Sequence, residues 1–90
     1  MSLERTVTVV PEAGLHARPA STFVETVNEY DSDVRIGTPD DDDLAPAGSM
    51  LVVTGLGVKS GEDVRLVADG EDAADALDAL EAVLSTPEGE

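Results

Sequence analysis

Val64-Arg65-Leu66-Val67-Ala68 alternates in the manner of a strand with one buried face, and Asp69-Gly70 punctuates its end. Directly beyond, Ala73, Ala76, Leu77, Leu80, Val83 and Leu84 mark one stripe of a helix, while Glu71, Asp72, Asp75 and Asp78 occupy its other face. Three of these acids fall in the first turns, where the helix dipole favours negative charge. An alternating strand followed by an amphipathic helix belongs to a sheet with one face covered and the other exposed.

Working outward, the same pattern recurs. Thr6-Val7-Thr8-Val9-Val10 alternates as a first strand that Pro11 ends, and Glu12-Ala13-Gly14 makes a turn. From Ala17 to Tyr30, Ala20, Phe23, Val24, Val27 and Tyr30 stand at helical spacing. Pro19 is tolerated because a first-turn amide has no intrahelical partner. Val34-Arg35-Ile36 reads as a second strand leading into the turn Gly37-Thr38-Pro39. Asp40 to Asp43 disfavour strand and helix alike through self-repulsion, so a third strand is confined to Leu44-Ala45 before Pro46. Ser49 before Met50-Leu51-Val52-Val53, with Gly55 and Gly57 following, suits a short serine-capped helix, a buried strand being the competing reading. The order is β-α-β-β-α-β-α, an α+β open-faced β-sandwich, with residues 85–90 expected to fray.

Ninety residues support one compact domain, 1–90, and 41% apolar residues with one Phe, one Tyr and no Trp leave Val, Ala and Leu to build its core. The balance of 20 Asp plus Glu against 5 Lys plus Arg gives a net charge of −15. Such a chain repels phosphate backbones and anionic lipid, which argues against nucleic acid and membrane surfaces as partners. No apolar run approaches the ~20 residues of a membrane span, and Met1-Ser2-Leu3-Glu4-Arg5 lacks the features of a signal peptide, so a cytoplasmic protein is expected. With no cysteine and a single histidine, disulfides, thiolate sites and His-pair metal sites are excluded, and no cofactor is expected. Acidity spread from Glu4 to Glu90 beside a single lysine, Lys59, fits a protein kept soluble in a salty cytosol.

The lone histidine sits in Gly14-Leu15-His16-Ala17-Arg18-Pro19-Ala20, where a glycine turn gives way to a helix. An anion on His16 would meet the unpaired first-turn amides of Ala17, Arg18 and Ala20, and the Arg18 side chain can add a charge-assisted contact. Imidazole, with a pKa near ~6.5, is largely neutral at cytoplasmic pH and nucleophilic. These parts suit reversible phosphorylation of a ring nitrogen better than hydrolysis, because no paired general base accompanies them. Taken alone, a His-x-Arg of this kind is more often a helix cap beside a surface arginine, and spacing does not decide between the two.

The stretch Gly14 to Ala20 resembles the active-site signature of HPr, the histidine-containing phosphocarrier family of the phosphoenolpyruvate-dependent sugar phosphotransferase system. The similarity continues through Glu25 to Val34, Gly48-Ser49-Met50-Leu51, Leu56 to Val64 and the last helix, covering nearly the whole chain. The resemblance implies a four-stranded antiparallel sheet covered by three helices. It makes His16 the phosphorylated residue, at Nδ1, with Arg18 assisting. Phosphate would arrive from enzyme I and leave to the IIA domain of a sugar permease, on a fructose or dihydroxyacetone route among others, without independent turnover. It maps a docking surface onto Ala17, Ala20, Phe23, Met50 and Leu51, with Phe23 reading equally as plain core. It also aligns Ser49 with the serine that a dedicated HPr kinase phosphorylates in some relatives, capping alone being the commoner role. A monomer fits such a shuttle.

Three departures stand out. Ala13 replaces a position often held by a small polar residue able to bond phosphoryl oxygens. Asp40 to Asp43 replace the usual hairpin between the second and third strands, which speaks against regular pairing of those strands. Lys59 is the sole lysine, where relatives commonly carry several around the docking face. Two other functions compete: a regulatory module that docks on metabolic or transcriptional partners without passing phosphate to sugar, and a domain binding small anionic metabolites at the first helix.

Overall fold

A computed structural model describes residues 2–11, 14–15, 17–40 and 44–86. Along the chain these form β1 (Ser2–Thr8), α1 (Ala17–Asn28), β2 (Asp33–Gly37), β3 (Ala45–Pro46), α2 (Met50–Gly55), β4 (Asp63–Asp69) and α3 (Ala73–Ser85). The strands make one sheet in the order β1-β4-β2-β3, antiparallel at every seam. The expected element order and the open-faced α+β architecture are both present.

Alternation sets the two faces of the sheet. Val7 pairs with Val64, while Leu66 lies between Arg5 and Ile36, and Ala68 between Leu3 and Val34. Most of these point into the core, beneath α1 and α3. Glu4, Thr6 and Thr8 on β1, with Arg35 on β2, take the open side. From the helices, Phe23, Leu77, Leu80 and Leu84 complete the core without exposed surface to speak of, each contributing about 1.5–3 kcal/mol by leaving water. Arg5 shares the parity of the covered face, yet at the sheet edge its guanidinium swings out to Asp78 (2.7 Å) and Glu81 (2.9 Å) of α3.

Several boundaries differ from expectation. β1 runs from Ser2 to Thr8 rather than Thr6 to Val10, because β4 offers a partner to every residue from Ser2 (Asp69) to Thr8 (Asp63). α1 stops at Asn28, and Glu29 and Tyr30 close it by bonding back three residues to Thr26 and Val27. β3 is Ala45–Pro46, not Leu44-Ala45. Proline is accommodated because β3 is an edge strand with a ladder on one side only, and the next amide, Ala47, bonds Val34 O at 2.9 Å. β2 and β3 therefore pair despite the aspartates, of which Asp41 to Asp43 lie outside the described residues. At the C-terminus, Ser85 belongs to α3 and the Thr86 hydroxyl bonds Ala82 O at 2.6 Å, while 87–90, the rest of the tail expected to fray, lie outside the described residues.

By spacing, Asp72 falls with Glu71, Asp75 and Asp78 on the face of the last helix away from its apolar stripe. Its carboxylate instead accepts the backbone N–H groups of Asp31 and Ser32, both at 2.9 Å, and the Ser32 hydroxyl. It ties the α1–β2 turn to the start of α3. Among the described residues no helix is long and apolar enough to cross a membrane.

Candidate functional site

His16 lies outside the described residues, as does Ala13, and what the structure gives is the frame on either side. On the near side, Gly14 N–H bonds Pro11 O at 2.8 Å and Leu15 N–H bonds Val58 O at 3.0 Å. Leu15 is fully buried, so the residue before His16 is anchored by both its backbone and its side chain. Gly14 has a φ of +72°, and a Cβ there would fall 2.5 Å from Val58 O and 2.8 Å from Lys59 Cα. Only glycine allows this approach.

The α2–β4 loop is thus the floor beneath the histidine segment, held from several directions. Val9 N–H bonds Glu62 O (2.9 Å), Gly61 N–H bonds Val9 O (2.7 Å), and the Ser60 hydroxyl donates to Val10 O (3.1 Å). Within the loop, Glu62 N–H closes a turn onto Lys59 O at 3.0 Å, and Gly61 in its third position has a φ of +89°, as this kind of turn requires. The Glu62 carboxylate accepts the Lys59 N–H at 2.7 Å. From the sequence, Gly57 reads as a helix exit and Val64 as a strand start, and the residues between them carry only the resemblance, not a support for the site. The available signal was a pair of glycines, Gly57 and Gly61, bracketing Lys59-Ser60 ahead of an acid.

On the far side α1 begins at Ala17. Its first-turn amides have no intrahelical acceptor, except that Pro19 brings none. Arg18 is exposed. Of the five cations, Arg5 pairs with Asp78 and Glu81, Arg35 with Asp33 at 3.7 Å, and Arg65 lies 3.1 Å from Glu4. The Arg65 contact is close enough for ionic attraction, but Nε points away from hydrogen-bond alignment. Arg18 and Lys59 have no ion pair among the described residues. The two cations free of carboxylates there are those on the elements flanking the histidine, an arrangement that leaves positive charge for an incoming anion.

The expected docking residues separate into two groups. Ala20 and Phe23 are wholly buried in α1's core-facing stripe, which removes them from any docking surface. Met50 and Leu51 are 40% and 86% exposed on α2, and α2 packs against α1. Ala17, the remaining residue of that expected surface, is the first residue of α1. Ser49 caps α2, its hydroxyl accepting Val52 N–H at 3.5 Å, which bears out the helix over the competing buried strand.

A four-stranded antiparallel sheet with three helices, and an anchored Gly14-Leu15 one residue short of the start of α1, fit the fold expected of a small phosphocarrier. The family model for the PTS HPr component phosphorylation site matches residues 3–86, and the chain belongs to the HPr family, the phosphocarriers of the phosphotransferase system. It is 69% identical over 86 residues to the phosphocarrier protein HPr of Haloferax volcanii, covering 96% of this chain and 97% of that one. It is 36% identical over 90 residues to a multiphosphoryl transfer protein of Haemophilus influenzae, covering 99% of this chain but 18% of that protein. Among solved structures, the phosphocarrier protein HPr from Bacillus anthracis superimposes with a TM-score of 0.85 at 31% identity, over 92% of this chain and 96% of that one. The Haloferax relative is consistent with the salt-adapted reading of the composition.

Proposed function

We propose that His16 is the phosphoryl acceptor and donor, and that the chain takes phosphate from phospho-enzyme I and passes it to a IIA domain of a sugar permease in the cytoplasm. In the first transfer the His16 Nδ1 lone pair forms the N–P bond while the donor's bond to phosphorus breaks, the donor atom keeping that electron pair. The ring's other nitrogen keeps its proton. The second transfer reverses these events on the acceptor. Because the transition state is loose, the carrier's part is to place the ring and stabilise the equatorial oxygens. The amides of Ala17 and Arg18 and the Arg18 guanidinium take the latter role.

The observation that carries this reading is the frame around residue 16: an anchored Gly14-Leu15 before it, a helix start after it, and Arg18 unpaired among the described residues. Exposed Met50 and Leu51 supply an apolar surface for a protein partner, and a monomer can show that surface to each partner in turn. Ser49, at the head of the same helix, is placed so that a phosphate from an HPr kinase would put negative charge beside it.

The test is incubation with phosphoenolpyruvate, magnesium and enzyme I at high salt, with intact mass measured before and after mild acid. One acid-labile phosphoryl adduct, absent from His16→Ala, is expected. An adduct that persists in His16→Ala overturns the assignment.

A further inference from the structure

The peptide group joining Val58 to Lys59 is engaged on both sides. Its carbonyl accepts Leu15 N–H at 3.0 Å, and its N–H donates to Glu62 Oε1 at 2.7 Å. Gly14 rests against the same peptide. A continuous chain of hydrogen bonds thus runs from the Glu62 carboxylate, through one peptide unit, to the residue that immediately precedes His16. Such chains polarise and align their members together, and the carboxylate end is the stronger, charge-assisted link.

We propose that Glu62 is a positioning residue for phosphoryl transfer: by fixing the plane of the Val58–Lys59 peptide, it fixes Leu15 and therefore the histidine that follows. The proposal rests on the reading of His16 as the phosphoryl acceptor. Turn closure alone does not require this side chain, since Glu62 N–H already bonds Lys59 O and Gly61 already supplies the left-handed residue. What the side chain adds is an acceptor for the Lys59 amide, a second hold on the peptide whose carbonyl receives Leu15 N–H. Acting through the Val58–Lys59 peptide, Glu62 bears on the rate of transfer within the docked pair rather than on docking.

The experiment compares Glu62→Ala and Glu62→Gln in the full chain. Single-turnover acceptance from phospho-enzyme I is followed over a range of carrier concentration, alongside the Leu15 amide proton resonance. Glu62→Ala is expected to lower the saturating rate roughly tenfold, as small misplacements of a reacting group do. The concentration giving half that rate should stay within about twofold of the original, which separates positioning from docking. The Leu15 amide resonance should move upfield, and Glu62→Gln, which keeps an acceptor oxygen, should restore both rate and resonance. A wild-type rate in Glu62→Ala, a Glu62→Gln protein as slow as Glu62→Ala, or an unmoved Leu15 resonance would each overturn the proposal. Failure of the wild-type chain to take phosphate would instead sink the His16 reading, and the Leu15 resonance would still report whether Glu62 holds the peptide.

Discussion

Phe23 and Leu51 show how two apolar side chains of the same region take opposite parts. Phe23 has no exposed surface, while Leu51 is 86% exposed. Phe23→Ala is therefore expected to cost about 3–5 kcal/mol of stability, seen as a lowered thermal midpoint. Leu51→Ala should change stability by no more than about 0.5 kcal/mol, yet weaken binding to enzyme I in a titration. Equal stability in the two variants would contradict the burial. The helical spacing of residues 20, 23 and 27 already told that these side chains share a stripe, but a stripe alone does not say whether core or partner covers it. For Ser49, the long 3.5 Å cap bond places Ser49→Ala at the low end of cap losses, about 0.5 kcal/mol. Ser49→Asp should weaken enzyme I binding; unchanged affinity in that variant would leave the serine as a cap only.

Among the elements, α3 and β4 were legible because each carries its period cleanly, whereas β3 was not, since two residues hold no period at all. The ends of β1 and α1 moved because tertiary partners, not local pattern, decided them. The same holds for Asp72, whose sequence position spoke for a dipole effect and whose real partners lie about forty residues upstream. Its carboxyl is held below the ordinary value of 3.8, first by the Ser32 hydroxyl and then by the Asp31 amide. A carboxyl depressed on folding contributes stability that is present above the unfolded value and lost as pH falls through the folded one. Unfolding measured downward from pH 5 should thus show Asp72→Asn losing less stability than the original chain below about pH 4, where this carboxyl begins to protonate in the unfolded chain but not yet in the folded one. If both proteins lose stability in parallel across that range, the clamp contributes nothing pH-dependent.

At the scale of the whole molecule, the fold must hold 20 acids against 5 cations on 90 residues, with three of the arginines already matched to carboxylates. Exposed pairs of that kind add little each, so they do not offset the general repulsion. Self-repulsion of this size acts over distances that salt shortens, from about 10 Å at 0.1 M to about 3 Å at 1 M. The core opposing it is built from valine, alanine and leucine around one phenylalanine, and so has little reserve. The thermal midpoint is accordingly expected to climb as KCl is raised from low to molar concentration, most steeply where the screening length passes the spacing between surface charges. Enzyme I binding should follow the same direction if its surface is also acidic, because screening removes the repulsion and leaves Met50 and Leu51 their apolar contact. A midpoint flat in KCl would mean that specific pairs, rather than the net charge, govern stability, and the composition would then say nothing of salt.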